Sequence, residues 1–332
     1  MENTNNNSMS DLFDKSKMSN EDIGKPVLEF RDIVKKYDGK NALDHLTLTV
    51  NKGDIYGFVG ENGAGKSTAM RVLAGLIEVN SGEFLINGVS STDPRIIEER
   101  KKMGAIIEQP ALFHGFTAYD NLKMNLILSG QKPDPERIKS ILERVGLKDL
   151  YNSKKKAGNF SLGMRQRLGI AMAFVNNVDI LILDEPINGL DPTGIVEIRN
   201  LILDLHKMGA TIFISSHILT ELSLIATRYG FISHGKIVKE LSTEELHNIT
   251  EKKTILKTTN NNLAQEILRG ESIKVELVGD TLEIAGEFEL SKAVSLLSKE
   301  GIDVADFKTI NGSIEDYYMH IINGGNDNGQ LN

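Results

Sequence analysis

The sequence predicts an α/β fold on an open parallel sheet, with a smaller α+β unit after it. Three observations carry this. Apolar runs of strand length at residues 54–59, 178–183 and 211–215 each lead into polar residues with chemistry to offer. Stretches with helical spacing of apolar residues alternate with those runs, as successive strand–helix units require. After a polar junction at Glu251-Lys252-Lys253 the pattern changes to short elements in the order β-α-β-β-α-β, that of a split βαβ sandwich.

A chain of 332 residues with 40% hydrophobic content suits about two packed domains. It has no cysteine, which excludes disulfides and thiolate metal sites and fits a reducing compartment. The formal net charge of -8 offers no overall basic field to nucleic acid or anionic lipid. No apolar run approaches bilayer length, and the N-terminus lacks a basic-then-apolar leader. The expectation is a cytoplasmic protein that meets a membrane only through a partner, on its inner face.

Residues 1–25, rich in Asn, Ser and charge, are expected to form a disordered tail. Leu28 and Phe30, then Leu46, Leu48 and Val50, alternate with polar residues as strands do. Between them Tyr37 can stack on a flat ring or simply pack. Asn51-Lys52-Gly53 turns the chain into the strand at 54–59. There follows Gly60-Glu61-Asn62-Gly63-Ala64-Gly65-Lys66-Ser67-Thr68, which fits the phosphate-loop pattern G-x-x-x-x-G-K-[ST]. Glycines let backbone N–H groups curl inward into an anion-binding nest, and the next helix adds its positive dipole end. Lys66 can reach the β- and γ-phosphates, and the Ser67 hydroxyl can bind Mg²⁺. Ala69, Met70, Val72, Leu73 and Leu76 supply the helical spacing behind the loop.

Phe84-Leu85-Ile86 before Asn87-Gly88 reads as strand and turn, and Gly104-Ala105-Ile106-Ile107-Glu108-Gln109-Pro110 reads as a short strand stopped by proline. Residues 117–146 read as helical. Thr117 with Asp120 can cap one helix, Asp134-Pro135 starts another, and Gly146 sits where a helix should end. Phe160-Ser161-Leu162-Gly163-Met164-Arg165-Gln166-Arg167 then opens an apolar helix. The buried run at 178–183 ends in Asp184-Glu185, putting two carboxylates at the carboxyl end of a strand, where open parallel sheets bind ligands. Asp184 is suited to Mg²⁺ and Glu185 to the γ-phosphate side. Ile195, Val196, Ile198, Leu201, Ile202 and Leu205 give a helix face, and the strand at 211–215 delivers His217 to the same sheet end. Ser242-Thr243-Glu244-Glu245 has the form of a capping box.

Together these motifs resemble the ATPase subunit of ATP-binding cassette (ABC) transporters, from about Val27 to Leu241. The resemblance implies a P-loop NTPase with a helical subdomain at about 110–165, spanning 26–245. A C-terminal α+β accessory domain at 246–323 and a polar tail at 324–332 complete the expected layout. It also implies roles. Tyr37 stacks on adenine, and residues 60–68 hold the phosphates of ATP. Gln109 touches Mg²⁺ and the attacking water, beside the surface that meets the membrane subunit. Ser161 and Gly163 belong to the family signature, Asp184 binds magnesium, Glu185 is the catalytic base, Asp191 lies in the loop that crosses the dimer interface, and His217 is the switch histidine. The signature departs from the usual L-S-G-G-Q: Met164 lacks glutamine's hydrogen bonds and Leu162 removes a glycine. One cassette with a small C-terminal domain, and the variant motifs, are similar to the bacitracin- and lantibiotic-resistance branch of bacterial export ATPases.

The implied partners are a second copy, sharing ATP head to tail, and a separate transmembrane permease. The alternatives are a soluble ABC ATPase acting on ribosomes or DNA, and a binding-only regulator. The first fits poorly with a lone phosphate loop, an acidic balance and no sustained heptads. The second fits poorly with the presence of Lys66, Asp184, Glu185 and His217.

Overall fold

The computed structural model describes residues 23–250, 253–271, 273–285, 290–310 and 313–322. Most of the expected N-terminal tail, and all of the C-terminal one, lie outside these residues. The tail boundary at Lys25 moves: Gly24 N–H donates to Lys52 O at 3.1 Å and Lys52 N–H to Lys25 O at 2.8 Å, so the first strand pair draws these residues in. The chain divides into two compact units between Leu241 and Ser242.

In chain order the first unit comprises β1 (Pro26–Tyr37), β2 (Lys40–Asn51), β3 (Ile55–Val59), α1 (Lys66–Leu73), β4 (Ser81–Ile86), β5 (Val89–Ser90), α2 (Ile96–Arg100), β6 (Met103–Ile106), α3 (Ala118–Leu128), α4 (Pro135–Arg144), α5 (Leu162–Phe174), β7 (Ile180–Asp184), α6 (Pro192–Lys207), β8 (Thr211–Ser216), α7 (Leu219–Leu222), β9 (Arg228–Ser233) and β10 (Lys236–Ser242). An antiparallel sheet has the order β2-β1-β4-β5. A six-stranded sheet runs β10-β9-β3-β8-β7-β6, with β9, β3, β8, β7 and β6 parallel. Its register pairs Val59 with Ser216, Asp184 with Ser215, and Leu183 with Ile106. The carboxyl ends of β3, β8, β7 and β6 are therefore level, and their following loops share one edge.

The core lies between the two sheets and α1. Phe213 of β8 packs against Phe58 and Tyr56 of β3, with ring centroids 5.2 and 5.7 Å apart, and Phe30, Leu48 and Met70 close over them. Each such side chain contributes about 1.5–3 kcal/mol by leaving water. Gly104 lets β6 approach α5, since a Cβ there would stand 2.0 Å from Ala173 O. The helical subdomain follows the capping signals. Thr117 and Asp120 make the reciprocal box at α3, and Asp134 caps α4 with Pro135 at its first turn. Two expectations change. Gly75, at φ 73°, ends α1, leaving Leu76 outside the helix and exposed. Val196 is exposed too: on α6 the inward positions are Ile198, Leu201, Ile202 and Leu205. Strands β9 and β10 have no counterpart in the sequence reading.

The second unit comprises α8 (Thr243–Thr250), β11 (Lys253–Thr258), α9 (Asn261–Gly270), β12 (Val275–Val278), β13 (Thr281–Ala285), α10 (Leu290–Lys299), β14 (Val304–Ile310) and α11 (Ile314–Ile322). Its antiparallel sheet has the order β12-β13-β11-β14, the split βαβ arrangement. Leu256, Leu282 and Ile284 of the sheet pack with Leu268 of α9 and Leu297 of α10. The capping box opens α8: Ser242 Oγ accepts from Glu245 N–H at 3.1 Å, and Glu245 Oε2 accepts from Ser242 N–H at 2.7 Å. That box begins the second unit, so the division falls before it and not after Glu245.

Candidate nucleotide site

The loop at residues 60–68 leaves β3 at the level sheet edge. Gly60 must lack a side chain, because a Cβ would meet Ile232 O of β9 at 2.5 Å. Gly63 and Gly65 take φ of 86° and 114°, and nothing stands within 4 Å of where a Gly63 Cβ would be. The result is an open cradle. Helix α1 begins at Lys66 with no side-chain cap and no acidic residue in its first turn. Its leading N–H groups and positive end are thus left for an anion. Ser67 lies in that first turn, half-buried.

Lys66 is buried, at 5% exposure. Its ammonium donates to Gly60 O at 2.6 Å and to Glu61 O at 3.1 Å, and it stands 3.3 Å from Glu185 Oε1. Glu185 Oε2 in turn lies 2.7 Å from His217 Nδ1, the ring nitrogen donating. Asp184 is buried beneath them and accepts from Ser215 Oγ at 2.5 Å, while the same hydroxyl accepts from Glu185 N–H at 2.9 Å. Ser215 therefore fixes both carboxylate residues at once. Sequence reasoning missed it, although the strand carrying it was recognised. Glu185 itself stands at φ 48°, in the left-handed region that bulky residues avoid.

Lys66, Asp184, Glu185, His217 and the loop come together. Tyr37, Gln109, Ser161, Gly163 and Asp191 make no hydrogen bond to these four charged residues among the described residues. Tyr37 ends β1, 43% exposed, with the Lys35 ammonium 5.2 Å from its ring centroid. The hairpin carrying it is tied to the loop: Gly235 N–H donates to Ala64 O at 2.9 Å and Asp44 N–H to Gly235 O at 3.0 Å. Gln109 is exposed past the end of β6, its N–H turned back on Ile107 O. Its neighbour Glu108 pairs with Arg71 of α1, a link between the two segments that sequence reasoning also missed. Ser161 caps α5 by accepting from Met164 N–H at 3.2 Å, and Gly163 lies beside Leu190. Asp191 caps α6, accepting from Gly194 N–H at 3.1 Å.

Over 304 residues the chain is 38% identical to the bacitracin transport ATP-binding protein of Bacillus licheniformis, covering 90% of this chain and 98% of that one. The chain belongs to the ABC transporter ATP-binding family. The ABC transporter family model matches residues 43–188. The lantibiotic transport ATP-binding protein of Streptococcus pyogenes is 40% identical over 225 residues, 68% of this chain and 95% of that one. Among solved structures, an ABC transporter cassette in its ADP conformation is 28% identical with a TM-score of 0.60, covering 68% of this chain and 94% of its own. A dimeric bacterial ABC transporter cassette is 25% identical with a TM-score of 0.59, covering 65% of this chain and 98% of its own. The chain is an ATP-binding subunit of an ABC transporter and an ATPase.

Proposed function

We propose that this ATPase powers export of a peptide antibiotic, of the bacitracin or lantibiotic kind, through a separate membrane permease. The names of the relatives support the substrate class. Among the described residues no helix is long and apolar enough to cross a membrane. In this reading the path across belongs to the permease. The cassette then works at the inner face of the cell membrane, from the cytoplasm. A net charge of -8 argues against nucleic acid as the partner.

The observation that carries the catalytic reading is Lys66 held between loop carbonyls and Glu185, with His217 on the other carboxylate oxygen. An open glycine cradle and an uncapped helix start fit a polyphosphate. Ser67 and Asp184, with Gln109, would hold Mg²⁺, which neutralises charge on the β- and γ-phosphates. Lys66 exchanges its oxygen partners for phosphate oxygens, and this frees Glu185. Glu185 orients a water and takes its proton as the water oxygen attacks the γ-phosphorus and the bond to ADP breaks. His217 holds Glu185 and contacts the γ-phosphate. Tyr37 stacks on the adenine. Ser161 and Gly163 complete the site of a second copy across a head-to-tail dimer, with Asp191 at the crossing. Closure on ATP and release after hydrolysis would drive the permease between its two faces.

Force leaves the cassette through residues 109–128. Phe113 is 41% exposed and its ring lies 5.3 Å from that of Phe116, an apolar pair suited to a membrane subunit. Leu112 by contrast is buried and belongs to the fold.

The shared-site reading is tested in the Glu185→Gln background. ATP with Mg²⁺ should raise the dimer fraction in sedimentation, and Ser161→Arg should suppress that rise. Dimerisation indifferent to both ATP and Ser161 would sink it. Loss of resistance to the peptide antibiotic on Glu185→Gln substitution in cells tests the transport reading.

A further inference from the structure

Strand β14 closes one edge of the second unit's sheet, paired with β11 on one side and, among the described residues, with no strand on the other. The register fixes which of its backbone groups face outward. Thr259 N–H donates to Asp303 O, so Thr259 bonds toward the β14 side. In an antiparallel ladder alternate residues do the same, which assigns Lys257, Ile255 and Lys253 to that side with their partners Asp306, Lys308 and Ile310. Phe307 and Thr309 therefore turn their N–H and C=O groups to the free edge. The Phe307 N–H agrees, donating to the neighbouring Asp306 Oδ1 at 2.8 Å. The Phe307 side chain is 54% exposed on the same edge, opposite the core residue Leu256.

The strand is complementary to itself. Laid antiparallel against a second copy with the two-fold axis at Phe307, outward residue meets outward residue, the parity that ladder bonds need. The two phenylalanines then face each other. In the same register Asp306 falls opposite Lys308 of the second copy, and Lys308 opposite its Asp306. Opposite charges directly across a strand pair stabilise it.

We propose that β14 pairs with β14 of a second copy of this chain, in antiparallel register centred on Phe307, joining two four-stranded sheets into one. The contact needs no nucleotide and uses none of the residues assigned to the shared ATP site. One pair of short strands buries less than the roughly 1,000 Å² expected of a stable interface, so association is weak in dilute solution. The opposing outcome is an edge that protects itself, through the irregularity between Lys257 and Thr258 and the Asp306 carboxylate on the Phe307 N–H.

Because the chain has no cysteine, introduced thiols are the only ones present. Full-length Asp306→Cys and Lys308→Cys proteins are oxidised mildly, alone and as an equal mixture without nucleotide. In the mixture the two Cα atoms would lie about 4.5 Å apart, within disulfide reach. In either protein alone, like residues are displaced by about 7 Å along the strands. The mixture should give at least about fivefold more cross-linked dimer than either protein alone. Equal yields, or none, would overturn the proposal. Separately, Asp306→Lys or Lys308→Asp should lower self-association in concentrated sedimentation runs, and the double exchange should restore it. Failure of that rescue, with far-ultraviolet circular dichroism and basal ATPase activity intact, would also overturn it.

Discussion

Lys66 Nζ stands 3.3 Å from Glu185 Oε1, so the amine suited to phosphate is held by the carboxylate suited to water. The two groups are each other's placeholder. On the proposed reading, an arriving polyphosphate would displace this carboxylate from the ammonium, leaving Glu185 Oε1 free while Oε2 stays on His217.

Glu185→Gln removes the proposed base while keeping its shape. Turnover should fall by about a hundredfold or more. ATP should bind at least as tightly as to the parent, because Lys66 no longer has an anionic competitor. Steady-state hydrolysis and a nucleotide titration measure the two effects. Near-parental turnover would reject Glu185 as the base.

Lys66→Ala removes the proposed charge-assisted partner of the phosphates and, among the described residues, leaves Glu185 its pair with His217. ATP binding, hydrolysis or both should weaken by about tenfold or more, as for the loss of one strong charge-assisted contact. Unchanged affinity and turnover would argue against a working phosphate loop.

Ser215→Ala tests the hydroxyl that sequence reasoning overlooked. It leaves the buried Asp184 short of a donor and the Glu185 N–H short of an acceptor. A cost of about 1–3 kcal/mol is expected, with a fall in thermal midpoint of about 2–4 °C for each kcal/mol in a unit of this size. Differential scanning calorimetry with a parallel turnover assay reads both. A variant with parental stability and rate would mean that the bond is dispensable.

Phe113→Asp separates docking from packing. The residue is exposed, so the isolated subunit should keep its thermal midpoint and basal ATPase activity, yet fail to co-purify with its permease. Leu112→Asp is the packing control. It should lower stability by several kcal/mol, as burying an unpaired charge does. Normal co-purification of folded Phe113→Asp would remove this residue from the docking surface.

The phosphate loop, Asp184-Glu185 and the caps at Thr117 and Asp134 were legible because their chemistry is local: a few adjacent residues specify each. Strands β9 and β10 were not. Gly230 and the His234-Gly235 turn break any apolar run there, and β9 is a strand because it lies against β3, with the Tyr56 hydroxyl 2.1 Å from where a Gly230 Cβ would be. Ser215 was hidden for a related reason. Its partner Asp184 is distant in the chain, and only the β7–β8 register sets them side by side. Leu76 misled because apolar spacing can run past a helix end, and a left-handed glycine overrules it.

Glu185 occupies a backbone conformation that glycine or asparagine would adopt more easily, at φ 48°. A heat-resistance screen at this position therefore sets relief of the backbone against loss of the contacts to Lys66 and His217, and on the proposed reading any variant it favours would be a silent ATPase. Where that relief is the larger, stability selection and activity selection pull this one codon in opposite directions.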